Sequence, residues 1–376
     1  MKMVLFICLI VVKVHLDKYY CSINMATDDN NAKKTFAQFF STKAPYIFDG
    51  FPSPPASHVV EPFAGRGDLI EWTRTQGFTG QIDAYDIMPQ HPYIIRQDTL
   101  RTPPTYKDKW VVTNPPFIAR NKTTAHKDLF DEHETNDLFK VFLMSLVYAN
   151  AAGGFIIIPL NFISSVRPID VTCREKFFSK YQAIRINMFE ETVFDDTACT
   201  VIALWFRKLA IGEASNQSFL MVRYPSRDQR MFSFDIAHKW LIGGSIYSEL
   251  AATPVTVCRA MPDLAPNTNL KFTAIDSGKA TGRISLEWSD ATYIGKDTSR
   301  TFATLVIGGL PLGVVMTEDL QKEVAEIFNE RFEAHREQYW SLFLTNYRES
   351  KEYARKRAPF TLCYLLVQKI LHEKFY

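Results

Sequence analysis

The chain has 376 residues, 47% hydrophobic and 22% charged, with a formal net charge of +2. That composition suffices for one large packed domain or two and excludes a wholly disordered chain. It also excludes nucleic-acid binding by overall charge, so any such face must come from local clusters of Lys and Arg.

The first feature in chain order is an apolar run at residues 3–12 (MVLFICLIVV) between Lys2 and Lys13. It is too short to span a bilayer comfortably. It has the character of a signal-peptide core, but no small-x-small cleavage site follows. Met25 opens an ordinary polar start, MATDDNNAKK, and is the expected true beginning, with 1–26 an extension and a signal peptide the rival reading. Nothing downstream reads as a transmembrane span, so the expectation is a soluble, intracellular protein. The six cysteines show neither a zinc spacing nor a disulfide framework and are read as reduced thiols.

From Ser57 onward short apolar runs alternate with helical stretches, the pattern of an α/β domain. Residues 58–62 (HVVEP) read as a buried strand, 68–75 as a helix, 81–87 (QIDAYDI) as a second strand and 110–113 (WVVT) as a later one. A helix over 136–149 carries Leu138, Val141, Phe142, Ser145 and Leu146 near a 3.6-residue period. Gly153-Gly154 is expected to stop it, 155–158 (FIII) to form the next strand, and 183–188 and 200–206 to complete the sheet. Beyond Lys208 the chain changes character, with Gly-rich turns and Pro254, Pro262 and Pro266, which predicts a smaller mixed domain over 211–345 after a first domain at 27–210. Within it 317–340 reads as an amphipathic helix with Thr317 as its N-cap, and 346–376 as a helical tail centred on 360–375.

Two segments carry the chemistry. Glu61-Pro62-Phe63-Ala64-Gly65-Arg66-Gly67-Asp68 joins a buried strand to a helix, where glycines allow a ligand to approach the strand end closely. A dinucleotide fingerprint would need a third glycine where Ile70 stands, and Glu61 suits an ammonium better than a pyrophosphate. Taken alone, Gly-x-Gly equally describes a plain turn. Asp86, about 20 residues further on, is placed to accept hydrogen bonds from two ribose hydroxyls. Asp98 falls at the expected end of a third strand, suited to an adenine amino group. Asn114-Pro115-Pro116-Phe117 is the more specific signal. Its prolines fix the backbone and remove donors, leaving the Asn114 oxygen and the Pro115 carbonyl to accept from one planar NH2, with Phe117 to stack on its ring.

The order of these motifs resembles the amino-methyltransferase branch of the class I S-adenosylmethionine-dependent methyltransferases. More narrowly it is similar to the gamma-type N6-adenine DNA methyltransferases of restriction-modification systems. Gln38-Phe39-Phe40-Ser41-Thr42 resembles that family's N-terminal cofactor segment, and Phe189-Glu190-Glu191-Thr192-Val193-Phe194 its base-packing loop. The resemblance covers residues 34–207. It implies a Rossmann-like sheet with helices on both faces, plus a smaller mixed C-terminal recognition domain. It implies S-adenosyl-L-methionine as cofactor, held by Thr42, Glu61, Phe63, Gly65, Gly67, Asp86 and Asp98. Lys43 stands where the family has proline, which leaves Ser41 or Thr42 as the contact. Asn114, Pro115 and Phe117 would be catalytic, and a flipped adenine would be stacked between Phe117 and Phe194. No metal is implied.

The implied partners are double-stranded DNA and a cognate restriction endonuclease. Candidate DNA contacts are Arg223, Arg227, Arg230, Lys271, Lys279, Arg283 and Arg300, with Arg348, Lys351, Arg355, Lys356 and Arg357 as a phosphate-binding cluster. The same site on an RNA or protein-glutamine methyltransferase, or on a catalytically silent DNA-binding module, is the alternative. Intact Glu61, Asp86, Asn114 and Phe117 disfavour the silent module.

Overall fold

The computed structural model describes residues 41–194, 199–213, 217–250, 252–276, 283–295, 300–347 and 355–376. The apolar run at 3–12, Met25, residues 38–40, Lys279, Arg348 and Lys351 lie outside them.

The chain order is α1 (Ala44–Ile47), β1 (His58–Glu61), α2 (Asp68–Thr75), β2 (Gln81–Asp86), β3 (Ile95–Arg96), β4 (Trp110–Thr113), α3 (Lys127–Glu132), α4 (Leu138–Ala149), β5 (Gly153–Pro159), α5 (Asn161–Ser164), α6 (Pro168–Phe178), β6 (Tyr181–Phe189), β7 (Val201–Lys208), β8 (Gln217–Tyr224) and β9 (Asp228–Phe234). These nine strands form one sheet in the order β3-β2-β1-β4-β5-β7-β6-β8-β9. Strands β1 to β5 run parallel, and β7 enters antiparallel between β5 and β6. An open Rossmann-like sheet, with helices on both faces, is therefore the fold of this part of the chain.

The two faces follow from the strand period. Along β1, β4, β5 and β7 successive side chains go to opposite sides. Val59, Val112, Phe155, Ile157 and Ala203 join one apolar cluster with Ala44 and Ile47 of α1 and Leu69 and Trp72 of α2. Val60, Val111, Ile156, Ile158 and Leu204 join another with α4 and with Phe177 and Phe178 of α6. Strands buried on both faces read as continuous apolar runs, as 155–158 does.

Three sequence expectations change. Gly153-Gly154 does not stop α4. That helix ends at Asn150 in the left-handed conformation, and the glycines begin β5, where a Cβ on Gly154 would lie 2.5 Å from the Val111 carbonyl. The sheet is not complete at residue 206, because β8 pairs parallel with β6 and β9 antiparallel with β8. The boundary at 210/211 thus falls inside the sheet.

A second sheet begins only with β10 (Thr256–Arg259). With β11 (Leu270–Thr273), β12 (Ser285–Trp288) and β13 (Phe302–Gly308) it makes an antiparallel sheet in the order β10-β13-β11-β12. Helix α7 (Glu318–Tyr339) packs on it, opened by Thr317, whose hydroxyl accepts from the Leu320 N–H. The small hairpin β14 (Thr345–Tyr347) and β15 (Arg355–Arg357) follows, then α8 (Phe360–Phe375). Leu362, Cys363, Leu366, Val367, Ile370 and Leu371 of α8 share one core with Leu270, Phe272, Val324 and Phe328, so 346–376 is part of this unit rather than a tail. No helix among the described residues is long and apolar enough to cross a membrane.

Candidate active site

The chain leaves β1 toward β2 and β3 on one side and toward β4 and β5 on the other. A crevice at the carboxyl ends of the strands results where the direction reverses, the usual binding place of open α/β sheets. A pocket lies there, lined among others by Phe63, Gly65, Asp86, Asp98, Asn114 and His126.

The turn after β1 is built on two glycines in the left-handed region, Gly65 at φ 52° and Gly67 at φ 87°. A side chain at either would be strained, and a Cβ on Gly67 would lie 2.5 Å from the Tyr93 hydroxyl. Gly67 starts α2, its N–H donating to the Ala64 carbonyl at 2.7 Å. Glu61 at the base of the turn is 1% exposed. Its Oε1 accepts from the Thr113 hydroxyl at 2.5 Å and the Phe63 N–H at 3.1 Å, while its Oε2 is buried with no hydrogen-bond partner. Burial pushes the carboxyl up to about 8 despite those donors, and the Asp86 charge adds to the rise.

Asp86 closes β2 and is buried. One oxygen accepts from the Gly65 N–H and the other from the Met88 N–H, both at 2.7 Å, so it holds the glycine turn in shape. Asp98 follows β3. Its Oδ1 accepts from the N–H groups of Leu100 and Arg101, and its Oδ2 faces His126 Nε2 at 2.9 Å. Partial burial would raise its carboxyl, but the His126 bond and the two amides outweigh it and hold the group below the usual carboxylate range.

On the far side, β4 delivers Asn114. Its amide donates to the Ser41 hydroxyl at 3.2 Å. Ser41 is buried and lines the pocket, whereas Thr42 is exposed and does not, so of the two residues Ser41 is the one at the site. Pro115 is buried. Phe117 is half-buried, edge-on to Phe139 with centroids 6.2 Å apart. Phe63 packs edge-on against Phe142 of α4 at 5.2 Å. Glu61, Gly67, Pro115 and Phe117 are not in the pocket lining, and neither is Phe194. It is 5% exposed and belongs to the apolar cluster of Phe189, Val201 and Tyr224.

Sequence reasoning missed the pocket wall made by Thr123, Thr124, Ala125 and His126. No motif marks it, because it meets Asp98 only when the chain after Phe117 folds back across the strand ends.

The candidate DNA contacts are largely engaged within the chain. Arg223 pairs with Asp228, and its guanidinium sits 4.8 Å from the Trp340 ring centre. Arg230 donates to the Glu337 and Gln338 carbonyls. Arg227 pairs with Asp49, Lys271 with Glu287 and Arg283 with Glu333. Arg300 is exposed. Arg355, Lys356 and Arg357 form the half-buried strand β15 rather than a solvated cluster, and burial pushes Lys356 down to about 8.

No family model and no curated protein matches the chain. Solved structures similar to it include the modification subunit of a putative type I restriction enzyme from Vibrio vulnificus YJ016, at 15% identity and TM-score 0.38 over 51% of this chain and 48% of that one. Another is the type I restriction-modification methyltransferase subunit from Streptococcus thermophilus, at 15% identity and TM-score 0.35 over 52% and 47%. A putative class I S-adenosylmethionine-dependent methyltransferase from Listeria monocytogenes matches at 12% identity and TM-score 0.36 over 54% and 68%. The chain spans about half the length of the two restriction-system subunits.

Proposed function

We propose that the chain is an S-adenosylmethionine-dependent methyltransferase that modifies the N6 amino group of a flipped adenine in double-stranded DNA. One observation carries the reading. Asn114 and Pro116, after β4, and Phe63, Ala64 and Gly65, after β1, line one crevice at the two strands where the sheet order reverses.

The residues fit the cofactor. The Glu61 Oε2 is a buried acceptor with no partner, at the place where an amino-acid ammonium would supply the missing donor and charge. Gly65, left-handed and in the pocket lining, leaves the backbone open to close approach. Asp86 stands beside it for ribose hydroxyls. When bound, the cofactor supplies a methyl group on a sulfonium sulfur, already activated toward nucleophiles.

The chain's task is then orientation. An adenine amine is a poor nucleophile because its lone pair is delocalised into the ring. The Asn114 side-chain oxygen and the Pro115 carbonyl would accept hydrogen bonds from its two N–H groups, which favours a pyramidal nitrogen with its lone pair free to react. Phe117 holds the ring plane. Fixing the reacting atoms in line supplies much of the rate. A base paired in a duplex cannot reach the crevice, so it must be flipped out.

The test is transfer of labelled methyl from S-adenosylmethionine to unmethylated duplex DNA, with RNA and protein pools in parallel. Label in DNA alone is expected. Label in RNA or protein would overturn the substrate, and no label in any pool would overturn the activity.

A further inference from the structure

Beyond β4 the chain runs outside the core before it rejoins it. Ile118 packs against the core, and Leu129 and Phe130 of α3 are buried in it. Between them, residues 119–128 contain no buried side chain. Yet Thr123, Thr124, Ala125 and His126 of this segment line the pocket, together with Asp98 and Leu100 after β3. In the sheet β3 stands three places from β4, about 14 Å at the usual strand spacing. The segment therefore crosses the crevice from the β4 side to the β3 side.

Its two ends are held by different forces. On the β4 side the main chain holds it. The Ile118 carbonyl accepts from the Leu138 N–H at 3.2 Å, and the Arg120 N–H donates to the Asn136 carbonyl at 2.9 Å. On the β3 side the ties are side chains. Arg101 donates to both oxygens of Asp128, at 2.7 and 3.0 Å, and His126 faces Asp98 at 2.9 Å. Between the ends, the Lys122 N–H bonds the Ala119 carbonyl and the Ala125 N–H bonds the Thr123 hydroxyl, both inside the segment. The main-chain bonds last as long as the start of α4 does. An exposed ion pair, by contrast, exchanges its partner for water at small cost. One end is thus a hinge and the other a latch.

We infer that residues 119–128 are a strap over the cofactor crevice, that the strap lifts from the β3 side to admit and release the cofactor, and that Arg101–Asp128 is its latch. The inference rests on the proposed cofactor and adds the control of its exchange. Neither Arg101 nor Asp128 is among the residues lining the pocket, so the pair acts on the way in rather than on the bound ligand.

A kinetic signature follows. The latch is made with the pocket empty or filled, and it breaks as the strap lifts. Its removal lowers the barrier to entry and to exit together, so both rates rise and their ratio holds.

The experiment measures binding, not turnover. Rapid mixing of S-adenosylhomocysteine with the unaltered full chain is compared with Arg101→Ala, Asp128→Ala and the double variant. Each single substitution should raise the association and dissociation rate constants by about 2- to 5-fold, the range of an exposed two-pronged pair, with Kd within about twofold of the parent. The double variant should go no further than either single one, because both remove the same contact. Salt at about 0.5 M should close most of the gap between the unaltered chain and the double variant, since it screens the pair. Dissociation that speeds alone, with affinity lost, would make the pair a support of the bound ligand and overturn the inference. Unchanged rates, or single effects that add in the double variant, would also overturn it, while binding itself preserved the cofactor reading. Failure of the unaltered chain to bind S-adenosylhomocysteine at all would overturn both.

Discussion

Glu61→Gln separates the stability of the empty site from its affinity for cofactor. Burial pushes the Glu61 carboxyl from the ordinary 4.5 to about 8, against the Thr113 hydroxyl and Phe63 N–H that pull it down. Between those values the folded chain keeps a proton that the unfolded chain has lost. The protonated carboxyl's contribution is therefore fully present below pH 4.5, falls as pH rises, and is gone above about pH 8. At about 1.4 kcal/mol for each tenfold step in proton concentration, the loss at pH 7 is on the order of 3 kcal/mol, with a ceiling near about 5 kcal/mol. Gln fills nearly the same volume, keeps an oxygen for Thr113 and Phe63, and has nothing to ionise. In urea unfolding followed across pH, Glu61→Gln should match the parent near pH 4.5 and exceed it by about 2–3 kcal/mol at pH 7. The same variant should bind S-adenosylhomocysteine roughly 10- to 100-fold more weakly at pH 8, because the ammonium loses its charged acceptor. A stability difference that stays flat with pH would refute the burial argument. An unchanged affinity would refute the ammonium site.

The remaining predictions concern three other positions. Asn114→Ala should lower single-turnover methyl transfer by about 100- to 1000-fold while leaving cofactor affinity nearly intact, read by calorimetry on the same preparation; affinity lost in parallel would assign Asn114 to the cofactor instead. Asp86→Ala removes the acceptor of the Gly65 and Met88 N–H groups and should weaken cofactor binding by roughly 10-fold or more. An unaltered dissociation constant would take Asp86 out of the ribose site. Phe194→Ala should cost about 3–5 kcal/mol of stability, because the ring is buried in the core. Loss of turnover with stability unchanged would instead make Phe194 the stacking partner that the sequence resemblance implied.

The parts of this fold legible in the sequence are those fixed by local chemistry. Helix α2 and strand β4 match the expected 68–75 and 110–113, and α8 matches 360–375, because apolar period, glycine turn and proline stop all act within a few residues. The sheet's far edge was not legible. Strand β8 looks like the start of a new domain in sequence, and only its pairing with β6, which no local pattern encodes, makes it part of the first. Glu61, Asp86 and Asn114 could be named because each sits at the end of a strand whose position the motif announces. Ser41 rather than Thr42 was decided by burial, a tertiary property. His126 had no signal, since its meaning comes from a contact with Asp98 across the pocket. The same holds for the buried Lys140–Asp170 pair, which joins α4 to α6 and which no local pattern marks.

The proposed function turns on which atom is methylated. Duplex DNA incubated with the full chain and S-adenosylmethionine, then digested to nucleosides and resolved by mass spectrometry, gives the answer directly, with Asn114→Ala as the control. N6-methyldeoxyadenosine is expected as the sole modified nucleoside, absent from the control. N4-methyldeoxycytidine, or a modified adenine that persists in the Asn114→Ala reaction, would contradict it.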